Sequence, residues 1–144
     1  MAFELSIANP DKPMLSSEEV FSRLERFKTK PVLVTRAPLF LDKARMFPHS
    51  MFVIGADTAA RIVNDKYYPP GEMIAVMTEM IQAHGVRFVV SGRLNDKTGR
   101  FETGEDEVRR ALPPSLVTKA FIFLQETDFR VDMSSTEIRK RLKI

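Results

Sequence analysis

The chain has 144 residues, of which 44% are hydrophobic, and carries a formal net charge of +3. The absence of cysteine excludes a disulfide framework, thiolate metal sites and a thiol nucleophile, and two histidines far apart, His49 and His84, disfavour a metal hydrolase or a Ser-His triad. No apolar run approaches the roughly 20 residues that span a bilayer, and no basic start precedes an apolar stretch, so a cytoplasmic protein without membrane contact is expected. The mild positive charge suits anionic small molecules and gives no argument for nucleic acid.

No repeat, low-complexity tract or long linker interrupts the chain, which reads as one domain over 1–144. Phe3 to Ile7 alternates like a short strand and ends in a breaker-rich loop, Asn9-Pro10-Asp11-Lys12-Pro13. Ser16 and Glu19 have the spacing of a capping box, and Val20, Phe21, Leu24 and Phe27 give the helix behind it one apolar face. Pro31 to Thr35 reads as a buried strand, and Leu39 to Phe47 as a helix stopped by Pro48. Ser50 to Ile54 is a strand running into Gly55-Ala56-Asp57 and a helix from about Thr58 to Val63. Gly71 to His84 forms a helix, and Val86 to Val90 another buried strand. Leu94 to Arg110 carries turn signals of a hairpin excursion, and Ala120 to Leu124 is the last strand. Continuous apolar strands alternating with helices predict a Rossmann-like α/β fold, a parallel sheet with helices on both faces.

In such sheets ligands sit at the carboxyl ends of the strands. Gly55 can let a backbone approach a ligand, and Asp57 can accept hydrogen bonds from a nucleotide. On residue chemistry alone the plainer reading, a tight turn and a helix cap, is preferred. Near the C-terminus, "VDMSSTEIRKRL" places Ser134, Ser135 and Thr136 at the start of a basic helix. A capping box explains Ser134 and Glu137. It leaves Ser135, Thr136 and Arg139, which have the chemistry of a phosphate site at a helix N-terminus. A capped, solvated helix with a basic last turn accounts for the stretch equally well. Arg93 is a further phosphate ligand or a surface arginine, and Lys12 follows the first strand into the same crevice.

Taken together these stretches resemble the nucleotidylyltransferase superfamily, the HxGH-type α/β transferases that include the nicotinamide and nicotinate mononucleotide adenylyltransferases. "MSSTEIR" is similar to the family's ISSTxxR signature, with Met133 in place of the usual isoleucine. "FVIGADTAARI" is similar to its G-x-D strand end and following helix, and "FELSIANPDKP" to its second strand and loop. The likeness is nearest to a group of plant and protist members and covers Phe3 to Lys140.

The resemblance implies attack of a mononucleotide phosphate on the α-phosphate of ATP, assisted by Mg2+, with pyrophosphate released. It places Ser134, Ser135, Thr136 and Arg139 on the ATP phosphates and Gly55 and Asp57 along the nucleotide crevice. Lys12 and Arg93 are weaker carry-overs. The family's first strand, Gly-rich turn and HxGH helix precede its FELS-like strand, where this sequence begins, and neither His49 nor His84 matches that pair. The chain alone is therefore expected to be a very poor enzyme, with no catalytic residue assigned. Two other roles are a catalytically dead nucleotide-binding or regulatory domain and an α/β interaction module.

By the same resemblance the strand order is 3-2-1-4-5, so the family's central strand is the one lacking. An empty slot would leave two edges without partners. A fragment of a longer chain is one explanation. Closure of the sheet, or a homo-dimer or other strand-supplying partner, is the expectation here.

Overall fold

A computed structural model describes residues 1–95 and 97–130. Ser134, Ser135, Thr136 and Arg139 lie outside the described residues. The elements run β1 (Phe3–Ser6), α1 (Ser17–Leu24), β2 (Val32–Thr35), α2 (Phe40–Met46), β3 (Met51–Gly55), α3 (Ala56–Ile62) and α4 (Met73–Thr78). They continue with β4 (Arg87–Ser91), β5 (Arg93–Asn95), β6 (Arg100–Glu102), α5 (Glu105–Ala111), α6 (Pro114–Ala120) and β7 (Phe121–Leu124). The chain is an α/β fold of Rossmann-like type, with parallel strands joined by helices. No helix among the described residues is long and apolar enough to cross a membrane.

The largest sheet has the order β3-β4-β7, all parallel, with Phe52 beside Phe88 and Phe88 beside Phe121. Strand alternation sends Phe52, Ile54, Phe88, Val90 and Phe121 to one face. There the rings of Phe40, Phe52, Phe88, Phe121 and Phe123 form a continuous series, with the Phe88 and Phe121 centroids 5.0 Å apart. Helices α2 to α6 add Ala44, Ala59, Met77, Val108 and Val117 to the same core. The alternate residues Met51, Val53 and Ile122 lie on the other face and are exposed among the described residues, Val53 to 69%.

The remaining parallel pair, β1-β2, is a separate sheet. This corrects the expected closure: β1 is hydrogen-bonded to β2 and β3 to β4, and no ladder joins β1 to β3. Helix α2 bridges the two sheets instead. Its Lys43 ammonium lies 2.7 Å from the Glu4 carboxylate on β1, while its Phe40 ring packs edge-on against Phe52 of β3 at 5.5 Å. These two anchors, Phe40 in the first turn and Lys43 at the middle of a short helix, hold the sheets as neighbours without pairing them.

Local signals mostly produce the elements they announce. The capping box of α1 is complete: the Ser16 hydroxyl accepts from the Glu19 N–H at 3.2 Å, and the Glu19 carboxylate from the Ser16 N–H at 2.9 Å. The apolar face of α1 nevertheless buries no residue, because a two-stranded sheet offers it little surface; Phe21 stays 68% exposed. The helix expected over Gly71 to His84 is shorter and irregular. It begins at Met73 and passes into a π-helical segment, Glu79–Ala83, in which the His84 N–H reaches the Glu79 carbonyl. The expected excursion divides into the antiparallel hairpin β5-β6 and helix α5.

Candidate functional site

The carboxyl end of β1 opens on a cleft of about 410 Å3, walled by helices α2, α3 and α4. Ser6 and Asn9 reach it from the end of β1, Leu39 and Lys43 from α2, and Thr58 and Arg61 from α3. Tyr67 and Tyr68, the only two tyrosines of the chain, complete its wall. The Ser6 hydroxyl donates to the carbonyls of Ala8 and Ala37, at 2.8 and 2.9 Å, which fixes the chain as it leaves β1. The Asn9 side chain accepts from the Asp11 N–H at 2.9 Å and turns the loop toward α3.

The loop after β1 is fastened across the cleft mouth by Asp11. Its carboxylate accepts from the Tyr67 hydroxyl at 2.5 Å and pairs with Lys66 at 3.4 Å. The Tyr67 hydrogen bond, helped by Lys66, holds the Asp11 carboxyl below its usual range, and the same tyrosine raises the Lys66 ammonium. Deeper in, Tyr68 donates to the Ile62 carbonyl, and burial pushes its phenol up to about 12. Tyr68 therefore remains neutral and structural, whereas Tyr67 stands at the rim.

The structure brings together two of the residues singled out in the sequence, 36 positions apart. The Arg93 guanidinium donates to the Asp57 carboxylate at 3.2 Å, with both side chains more than half exposed. Asp57 therefore does not cap α3; no side chain does. Gly55 has an ordinary extended φ of −85°, so the tight-turn reading does not hold either. A Cβ placed there would meet nothing within 4 Å, so the glycine leaves open space at the end of β3, outside the lining of the cleft. Gly104 closes in beside it: with φ at +71°, its Cβ position lies only 2.9 Å from the Ala56 carbonyl. Lys12 forms an isolated bridge with Asn9 and is exposed, outside the lining of the cleft.

Helix α3 links the two regions, with Asp57 directed to Arg93 and Thr58 and Arg61 to the cleft. The histidines lie elsewhere. His49 precedes β3 and packs against Gly85, which precedes β4, while His84 lies 3.3 Å from Glu79. Both sit at the amino ends of these strands, opposite the crevice.

Among the described residues no three His, Cys, Asp or Glu side chains gather as a metal group. Asp11 and Asp57 are each already engaged by cations, so the described residues do not form a fitted cage for Mg2+, whose ligands are oxygens in octahedral array. Tyr67, Tyr68, Arg61 and Asp11 were not singled out by sequence reasoning. Their only signal was the run Tyr67-Tyr68-Pro69-Pro70, aromatic residues in a turn behind a helix. Comparison of the chain with protein-family models, curated proteins and solved structures gave no match.

Proposed function

We propose that the chain is a nucleotide-binding domain of nucleotidylyltransferase type, in which the crevice takes a mononucleotide and ATP for adenylyl transfer. One observation carries the reading: the carboxyl end of β1 and helix α3, which follows β3, line a single cleft with cations and an aromatic rim. In this reading Arg93 and Arg61 attract phosphate, the open backbone at Gly55 lets the ligand lie close, and the Tyr67 ring covers a planar base. Ser134, Ser135, Thr136 and Arg139 hold the ATP phosphates. Mg2+ enters with those phosphates rather than by a protein cage. Catalysis in such a site is positioning and stabilisation of charge on the transferred phosphoryl group.

A second reading, binding without transfer, is favoured by the position of His49 and His84 at the far end of the strands. Calorimetric titration with Mg-ATP, beside Arg93→Ala and Arg139→Ala, tests binding. Pyrophosphate release with nicotinamide or nicotinate mononucleotide tests transfer. Saturable binding weakened by both substitutions supports the site, and pyrophosphate release decides between the readings. An intact chain that binds no Mg-ATP ends both. The same proposal includes a strand-supplying partner or second copy beside β1 and β3.

A further inference from the structure

Strand β2 has β1 as its neighbour on one side, and the ladder fixes which of its main-chain groups are left over. The N–H groups of Phe3 and Ile7 donate to the carbonyls of Pro31 and Thr35, each at 2.9 Å, with Phe3 in register with Val32 and Leu5 with Val34. Pro31, Leu33 and Thr35 therefore turn their main chain toward β1, while Val32 and Val34 turn theirs to the outer edge. Among the described residues no main-chain partner meets Val32 or Val34 on that edge.

The side chains of this edge are apolar on both faces and open to solvent, Leu33 to 44% and Val34 to 46%. A two-stranded sheet is marginal by itself and gains from a third strand. The strand Val32–Thr35 carries no charge that would block one. The residues that commonly guard a sheet edge, a proline and cations, stand just outside it as Lys30, Pro31 and Arg36.

Those guards have one sign. Lys28 and Lys30 precede the strand and Arg36 follows it; all three are exposed, and none takes part in an ion pair among the described residues. The sign decides what the edge accepts. Two copies joined antiparallel at β2 would set the Arg36 end of one beside the Lys30 end of the other. Joined parallel, they would set each cation beside its own counterpart. Either way cation meets cation, which opposes pairing. The sequence from 131 to 144 suits the edge no better, since its Arg139, Lys140, Arg141 and Lys143 outnumber Asp132 and Glu137. An extended segment with acidic residues at both ends meets attraction at each.

We infer that the outer edge of β2 docks an extended segment of a partner protein, three apolar residues flanked by acidic ones, added antiparallel to Val32-Leu33-Val34. Two residues of the segment exchange N–H and C=O bonds with Val32 and Val34, and the one between them lies opposite Leu33. Its acidic side chains reach Lys30 and Arg36. This goes beyond the nucleotide reading and does not rest on it.

Residue-resolved amide exchange on the full chain tests the inference, with the capped peptide Glu-Thr-Val-Ile-Val-Thr-Glu as probe. Alone, the chain should exchange the Val32 and Val34 amides rapidly, while those of Leu33 and Thr35, bonded to β1, are protected. The peptide should slow Val32 and Val34 by about tenfold or more, and by less at high salt. Replacing both glutamates of the peptide with lysine should remove most of that protection. Lys30→Glu with Arg36→Glu, changed only at exposed positions, should restore it for the lysine peptide. No slowing by the glutamate peptide overturns the proposal, as does equal slowing by the lysine peptide on the unaltered chain. Slowing at Ser6 in place of Val34 would assign the peptide to the other edge of β1 and overturn it as well. Slowing that grows with chain concentration in the absence of peptide would give β2 to a second copy and overturn the assignment to a partner protein.

Discussion

Lys43 on α2 and Glu4 on β1 form an ion pair of 2.7 Å, with side chains only 11% and 20% exposed, and it is the polar tie between two sheets that share no ladder. Removing one partner leaves the other charge half-stranded in a poor solvent. Lys43→Ala should cost about 3 kcal/mol in urea unfolding, the low end for a buried pair because Glu4 keeps some water. Lys43→Met with Glu4→Leu should recover most of that loss. If Lys43→Ala unfolds at the wild-type midpoint, the ion pair does not hold the two sheets together.

The Asp11 clasp makes a pH prediction. Its carboxyl titrates below the usual 3.8 because the Tyr67 hydroxyl, and then Lys66, favour the ionised form. A lowered carboxylate pKa means the clasp contributes fully above about 3.8 and is lost as pH falls through the folded value. Tyr67→Phe should move the Asp11 carboxyl resonance midpoint back upward in an NMR titration. An unchanged midpoint would show that the clasp is not formed in solution.

Some of this was legible in the sequence because the signal was local. The runs Ser50 to Ile54 and Val86 to Val90 announced strands, the second of them buried at Phe88 and Val90, and Ser16 with Glu19 announced α1. The Asp57–Arg93 pair spans 36 residues, so spacing along the chain could not join them. Helix α6, a segment left unassigned by sequence, opens on Pro113-Pro114, where a proline in the first turn of a helix loses no hydrogen bond. Tyr67 and Tyr68 sit in a turn whose sequence gives no direction; only the placement of α3 beside the β1 loop turns them into a wall. The separation of the sheets depended on pairing across the whole fold, and the apolar pattern of β1 is the same whether one neighbour is present or two.

Two glycines beside the crevice should separate binding from folding. At Gly55 the backbone is ordinary and the surrounding space is open, so Gly55→Val should change stability by no more than about 0.5 kcal/mol. In the proposed nucleotide site, where the ligand lies against the backbone at Gly55, the same side chain should weaken Mg-ATP binding by about tenfold or more, an energetic penalty near 1.4 kcal/mol. Gly104→Ala behaves oppositely. Its φ of +71° and the 2.9 Å approach to the Ala56 carbonyl strain the fold directly, at a cost of about 1–3 kcal/mol. Thermal unfolding and calorimetry on the two variants check both. A Gly55→Val chain that binds normally would place the ligand elsewhere.

The chain has no tryptophan, and its two tyrosines both stand in the cleft, so its ultraviolet emission reports on that one place. Tyr68 is partly buried and bonded to the Ile62 carbonyl, which leaves Tyr67 at the rim as the ring a ligand would cover. A base stacked on that ring quenches it, and stacking of this kind contributes about 1–3 kcal/mol per base. Titration with the mononucleotide should therefore lower tyrosine emission in a saturable way. Tyr67→Phe should remove most of the change while keeping a ring for the base, Tyr67→Ala should weaken binding, and Tyr68→Phe keeps the change and costs stability. Phosphate alone should leave the emission unaltered, since it binds to cations and covers no ring. Were Tyr68→Phe to abolish the signal and Tyr67→Phe to preserve it, the base would lie deeper in the cleft, against the helix wall of Ile62 rather than under the Asp11 clasp.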